Sequence, residues 1–169
     1  MGTTKKSEMA ERVWTWLSDE GWAIQKQSDP KAHFNYLVEV LSGVSLNVIQ
    51  PMEGGSDKVV VASNYDIDQS DMSYLRGLDP AGRDRFLWDL KILLTQVGIQ
   101  FNMVGATGEP DGEDPARIVV LAPAWFDGLT KNVFMHTVDI VKNGLLLVGW
   151  TFARAKGAPL SGESDPMVR

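Results

Sequence analysis

The side chains able to do chemistry are few and scattered. Histidine occurs twice, as His33 and His136, far apart in the chain and without a His-x-x-x-His or His-Glu partner pattern. A zinc site needs three or four nitrogen, sulfur or oxygen ligands held tetrahedrally, and no such set is visible, so no metal ligand is assigned. The run Asp66-Ile67-Asp68-Gln69-Ser70-Asp71 puts oxygens at the first, third and fifth positions of a calcium-type loop. The sixth position, which needs glycine, is Asp71, and the twelfth, which needs a bidentate glutamate, is Gly77. That segment is expected to be a solvated strand exit. A second acidic group, Glu109, Asp111, Glu113 and Asp114, is interleaved with Gly108, Pro110, Gly112 and Pro115. Carboxylates suit hard cations, but a tip rich in glycine and proline must first be ordered, so a solubilising hairpin tip is the expectation.

Nucleophilic and phosphate-binding chemistry is equally unsupported. With no cysteine in the chain, thiolate catalysis, thiolate zinc sites and a disulfide framework are excluded together. There is no Gly-x-Ser-x-Gly elbow, and Ser45, within Gly43-Val44-Ser45-Leu46-Asn47, falls in the middle of a strand pattern. No glycine-rich phosphate loop follows a strand. Carboxylate pairs such as Asp66 with Asp68 are too common in an acidic chain to mark acid–base work. No catalytic or cofactor-binding residue is therefore assigned. An enzyme whose pocket is shaped between sheet and helices needs no local motif, and it stays open as the alternative.

Length and charge bound what positions these residues. At 169 residues one domain is expected, placed at 7–155, with 156–169 as a flexible C-terminal tail. A net charge of −6 argues against nucleic acid or an anionic membrane as partner, and Arg83, Arg85 and Lys91 are too few and too mixed with acids to form a basic stripe. The most apolar stretch, 133–152, holds Asp139, Lys142 and Asn143 and falls short of a membrane span. The start, Met1-Gly2-Thr3-Thr4-Lys5-Lys6, lacks a signal-peptide apolar region, so a cytoplasmic location is expected.

Periodicity supplies the elements. Residues 7–20 read as a helix capped by Ser7, with Met9, Val13, Trp16 and Leu17 on one arc and Gly21 as a left-handed exit. After a short extended piece at 22–27 the period turns to two. Phe34, Tyr36, Val38 and Val40 mark one strand, and Val44, Leu46 and Val48 mark the next across a Ser42-Gly43 turn. The β-branched run from Lys58 marks a third, so an antiparallel meander is expected. A helical turn is allowed near Met72. Asp79-Pro80 opens a helix to about Gln96, with Phe86, Leu87, Leu90, Leu93, Leu94 and Val97 on its core arc and Gly98 after it. Residues 99–105 and 117–123 form two more strands. A last helix starts near Thr130, although Gly144 and Gly149 each cost about 1 kcal/mol of helix propensity, leaving a strand at 145–152 as the competing reading. The order helix, three strands, helix, two strands, helix makes the class α+β, with one antiparallel five-stranded sheet.

Several stretches carry a family resemblance. Trp14-Thr15-Trp16-Leu17 before Gly21-Trp22, the paired strands 34–40 and 44–51, Arg85-Phe86-Leu87-Trp88, and Leu129-Thr130-Lys131-Asn132 at the last helix resemble an uncharacterised prokaryotic family of domains of unknown function with the type III secretion chaperone-like fold. The resemblance spans about residues 7–155 and rests on packing and capping motifs. It implies a small dimeric α+β module that holds another polypeptide, and it assigns no catalytic residue.

Apolar surplus is the positive signal. The chain has six tryptophans, a residue type that dominates both cores and interfaces. Trp16, Trp22 and Trp125 are expected in the core. Trp88 with Ile92, and Leu146 with Trp150, fall on the polar sides of their helical wheels. Either the tail and loops cover these four, or they form a protein interface. The expectation is a non-catalytic protein-binding module that forms a homodimer through them and possesses no cofactor.

Overall fold

Each apolar period forms the element it predicts, in a computed structural model that describes residues 2–53, 57–109 and 115–157, with side chains from residue 8 onward. Helix α1 (Gly2–Asp19) buries Met9, Val13 and Leu17. It begins ahead of Ser7, which lies inside the helix and so is not its cap. Gly21, at φ 73°, turns the chain out of the helix as expected. Strands β1 (Ala23–Lys26), β2 (Ala32–Leu41), β3 (Val44–Pro51) and β4 (Lys58–Asp66) then run as an antiparallel meander. Phe34, Tyr36, Val38 and Val40 all face the core, and Gly43, at φ 77°, makes the tight turn between β2 and β3.

Two short helical and extended segments alter the expected order. The extended piece after Trp22 pairs in full with β2, from Ala23 opposite Glu39 to Lys26 opposite Tyr36. The sheet therefore has six strands rather than five. The helical turn near Met72 is a true helix, α2 (Gln69–Gly77), because Asp68 caps it by accepting from the Asp71 N–H at 2.8 Å. Helix α3 (Pro80–Gln96) starts on the expected signal: Asp79 accepts from the Gly82 N–H at 2.7 Å and Pro80 takes the first turn.

Strands β5 (Gln100–Gly105) and β6 (Pro115–Trp125) form the expected hairpin; its acidic tip, 110–114, lies outside the described residues, as does the tail from 158. β6 inserts beside β4, so the sheet order is β1-β2-β3-β4-β6-β5 and every pairing is antiparallel. Helix α4 (Lys131–Ala155) is continuous through the segment for which a strand competed. Phe134, Val138, Val141, Val148 and Phe152 recur at helical spacing and are all fully buried. All four helices share a single core with one face of the sheet. The class is α+β. No helix among the described residues is long and apolar enough to cross a membrane.

Candidate functional site

Two positions along a helix correspond to about 200° of rotation, which sends Trp88 and Ile92 away from the core-facing Leu90 and Leu94. The same geometry sends Leu146 and Trp150 away from Val148. Trp88 is 63% exposed, Ile92 41% and Trp150 57%, while Leu146 is half-buried. Both pairs thus stand on the outer sides of α3 and α4, helices tied together beneath by Phe86 against Phe152 at 5.0 Å between ring centroids. The other tryptophans divide differently from expectation. Trp16 lies against Phe134 and Trp22 packs against the core. Trp125, expected inside, is 51% exposed because it sits at the sheet margin, the last residue of β6, with the Lys58 ammonium 4.7 Å from its ring.

Chemistry-bearing residues gather at one place the sequence did not reveal. Asp71, expected in a solvated loop, is 1% exposed. Its carboxylate accepts from the Tyr65 hydroxyl at 2.7 Å and pairs with the Lys156 ammonium at 2.5 Å, which also reaches Ser70 Oγ at 3.2 Å. Strand β4, helix α2 and the end of α4 meet in this knot. Burial, then bonding to Asp71, raises the Tyr65 pKa well above its ordinary 10.0. The stack of Tyr65 on Phe152, at 5.6 Å and nearly parallel, closes the apolar side. Asp68, the other half of the calcium-like motif, is occupied in capping α2. No local signal could have found the knot, since Lys156 stands 85 residues from Asp71.

An open groove of about 500 Å³ runs between α1 and strands β1 and β2, lined by Glu11, Trp14, Lys26 and Tyr36. Two of its polar groups are engaged, since the Lys26 ammonium lies 4.9 Å from the Trp14 ring and the Tyr36 hydroxyl donates to the Ala10 carbonyl at 3.3 Å, while Glu11 is exposed. Burial, and secondarily Glu11, raise the Tyr36 pKa. His136 is exposed on α4 and His33 is half-buried on β2. Among the described residues no three histidine, aspartate or glutamate side chains gather as a metal site.

A solved structure of an uncharacterized protein from Methanothermobacter thermautotrophicus is similar in fold, with a TM-score of 0.77 at 23% identity over 88% of this chain and 97% of the other. No curated protein matches. Residues 9–152, which run from the first core position of α1 to the last aromatic of α4, match the model of the uncharacterized conserved protein family DUF2299, and the chain belongs to that family.

Proposed function

We propose that the protein is a non-catalytic, cytoplasmic protein-binding module that works as a homodimer, with Trp88, Ile92, Leu146 and Trp150 at the contact. The carrying observation is the exposure of two tryptophans, each with an aliphatic neighbour one helical turn away, on adjoining helices. A buried tryptophan removes about 150–250 Å² from water, so the exposed parts of Trp88 and Trp150 amount to roughly 250 Å² per copy. At about 25 cal/mol per Å² this is about 6 kcal/mol per copy. Two copies contribute about twice that, comparable with the roughly 4–15 kcal/mol lost on association. The resemblance to secretion chaperones, which hold another polypeptide on a small α+β module, supports the same reading.

Light scattering across a concentration series tests the proposal. The parent is expected to self-associate, and Trp150→Asp or Trp88→Asp to lower the mass of its assembly while circular dichroism stays that of the folded chain. A parent that remains monomeric at high concentration, or two variants that keep the parental mass, would refute this contact.

A further inference from the structure

The inner strands of the sheet are apolar on both faces. β4 contains Val59-Val60-Val61-Ala62, and β6 contains Ile118-Val119-Val120-Leu121-Ala122-Pro123. Continuous runs of this kind mark strands covered on both sides, whereas a one-sided antiparallel sheet alternates apolar with polar residues. Yet all four helices contribute to a core on one side only. On the other side the register sets Ile49 opposite Val60, Val60 opposite Pro123, and Ala62 opposite Leu121, with Leu37 one strand further out. None of these six is part of the core or packs against it, and each keeps part of its surface accessible. Ionisable residues on this side stand only at the margins. His33 is at the start of β2 and Glu39 near its end, Lys58 is at the start of β4, and the Asp66–Arg117 ion pair is at the opposite end. Between them the positions are aliphatic residues and uncharged polar ones such as Asn47. An apolar centre depleted of charge inside a polar rim is the layout of a protein contact.

We propose that this open sheet face is a second contact between copies of the chain, packed sheet against sheet. A net charge of −6 opposes a second copy over most of the surface and least where the facing patch is neutral, so this face is where two copies meet at the lowest electrostatic cost. Size agrees as well. Five strands about 4.8 Å apart and about six residues long at roughly 3.4 Å each give a projected face of roughly 500 Å². The accessible surface of a side-chain-studded face exceeds its projection, so two copies approach the roughly 1,200 Å² at which stable interfaces begin. A sheet face of the same twist is also a natural mate for aligned sheet packing at about 10 Å separation. This contact rests on the sheet alone and is independent of the α3–α4 patch.

Lysine placed on the face tests it. Val60→Lys and Leu121→Lys are each expected to halve the mass of the parent assembly by light scattering, with the circular dichroism spectrum retained and with Trp88 and Trp150 intact. Sheet variants that keep the parental mass overturn the proposal; if Trp150→Asp then dissociates the assembly, the α3–α4 contact stands without it. A parent that is monomeric at about millimolar concentration also overturns it and leaves the face to a different protein. Should the lysine variants fail to fold, Ala62→Cys serves instead. The chain has no cysteine of its own, so protection of this thiol from a maleimide in the concentrated assembly, relative to the dilute chain, reports this face, and labelling at the same rate in both refutes it.

Discussion

Asp71 is buried, and removing its carboxylate takes the shared acceptor from the half-buried Tyr65 hydroxyl and from a Lys156 ammonium that still meets water. Asp71→Ala is therefore expected to lower stability by about 1–3 kcal/mol in urea denaturation. Asp139→Ala, which removes an exposed partner of Lys142, should change it by less than about 1 kcal/mol. A comparable loss for both would mean that Asp71 is as solvated as its sequence context implies. Tyr65 gives the same knot a pH signature. Its folded pKa lies above the ordinary 10.0 because burial and the Asp71 bond oppose ionisation. Above about pH 10 the unfolded chain releases the tyrosine proton while the folded one keeps it. The folded state then binds more protons, and its stability falls as pH rises, by up to about 1.4 kcal/mol per pH unit for this one group. Below pH 10 the contribution is constant. Tyr65→Phe is expected to flatten the alkaline limb of a plot of denaturation midpoint against pH, leaving the shares of Tyr36 and of the Lys131 ammonium, whose pKa values are raised too; an unchanged limb would show that Tyr65 ionises freely in the fold. These residues escape sequence reasoning for a simple reason. A carboxylate in a run of acids looks solvated until the element that covers it, here the distant end of α4, is known.

Helix α4 shows where element-level reading succeeds and where it stalls. The caps were legible because they are local: Asp79-Pro80 opens α3, and Thr130 opens α4 by accepting from the Val133 N–H at 3.3 Å. Strand alternation in β2 and β3 was legible because one face is buried. The glycines of α4 were ambiguous, since low helix propensity says nothing of what a missing side chain makes room for. A Cβ on Gly144 would lie 2.5 Å from Ile99 Cδ1, so this glycine lets the helix approach the start of β5 closely. A Cβ on Gly149 would meet Tyr65 at an ordinary 3.5 Å. The two should answer substitution differently. Gly149→Ala is expected to stabilise by about 0.5–1 kcal/mol through helix propensity alone. Gly144→Val is expected to destabilise by about 1–3 kcal/mol through overpacking. Thermal denaturation of the two variants measures the contrast, and stabilisation by both would mean that Ile99 gives way freely. β1 was overlooked as a sheet member because four residues with alternation on neither face carry little pattern; its membership is decided by β2, which offers it an open edge. Trp125 was misplaced for a related reason, as a wheel or an alternation places a side chain on a face but cannot tell that the strand is ending.

At the scale of the whole molecule, composition and architecture pull on self-association in opposite directions. The net charge of −6 sets two copies against each other at long range. The candidate contacts, by contrast, are apolar: tryptophans on the outer side of α3 and α4, and aliphatic side chains across the open sheet face. Salt separates the two influences, because screening shortens the reach of charge from about 10 Å at 0.1 M to about 3 Å at 1 M and leaves apolar burial intact or slightly strengthened. Association is therefore expected to tighten by about three- to tenfold between roughly 20 mM and 500 mM sodium chloride, measured by sedimentation at several protein concentrations. Contacts held by ion pairs would weaken over the same range. Weakening would relocate the interface from the tryptophan patch and the sheet face, whose ionisable residues stand at the margin, to the charged loops and helix surfaces that supply most of the acidic side chains.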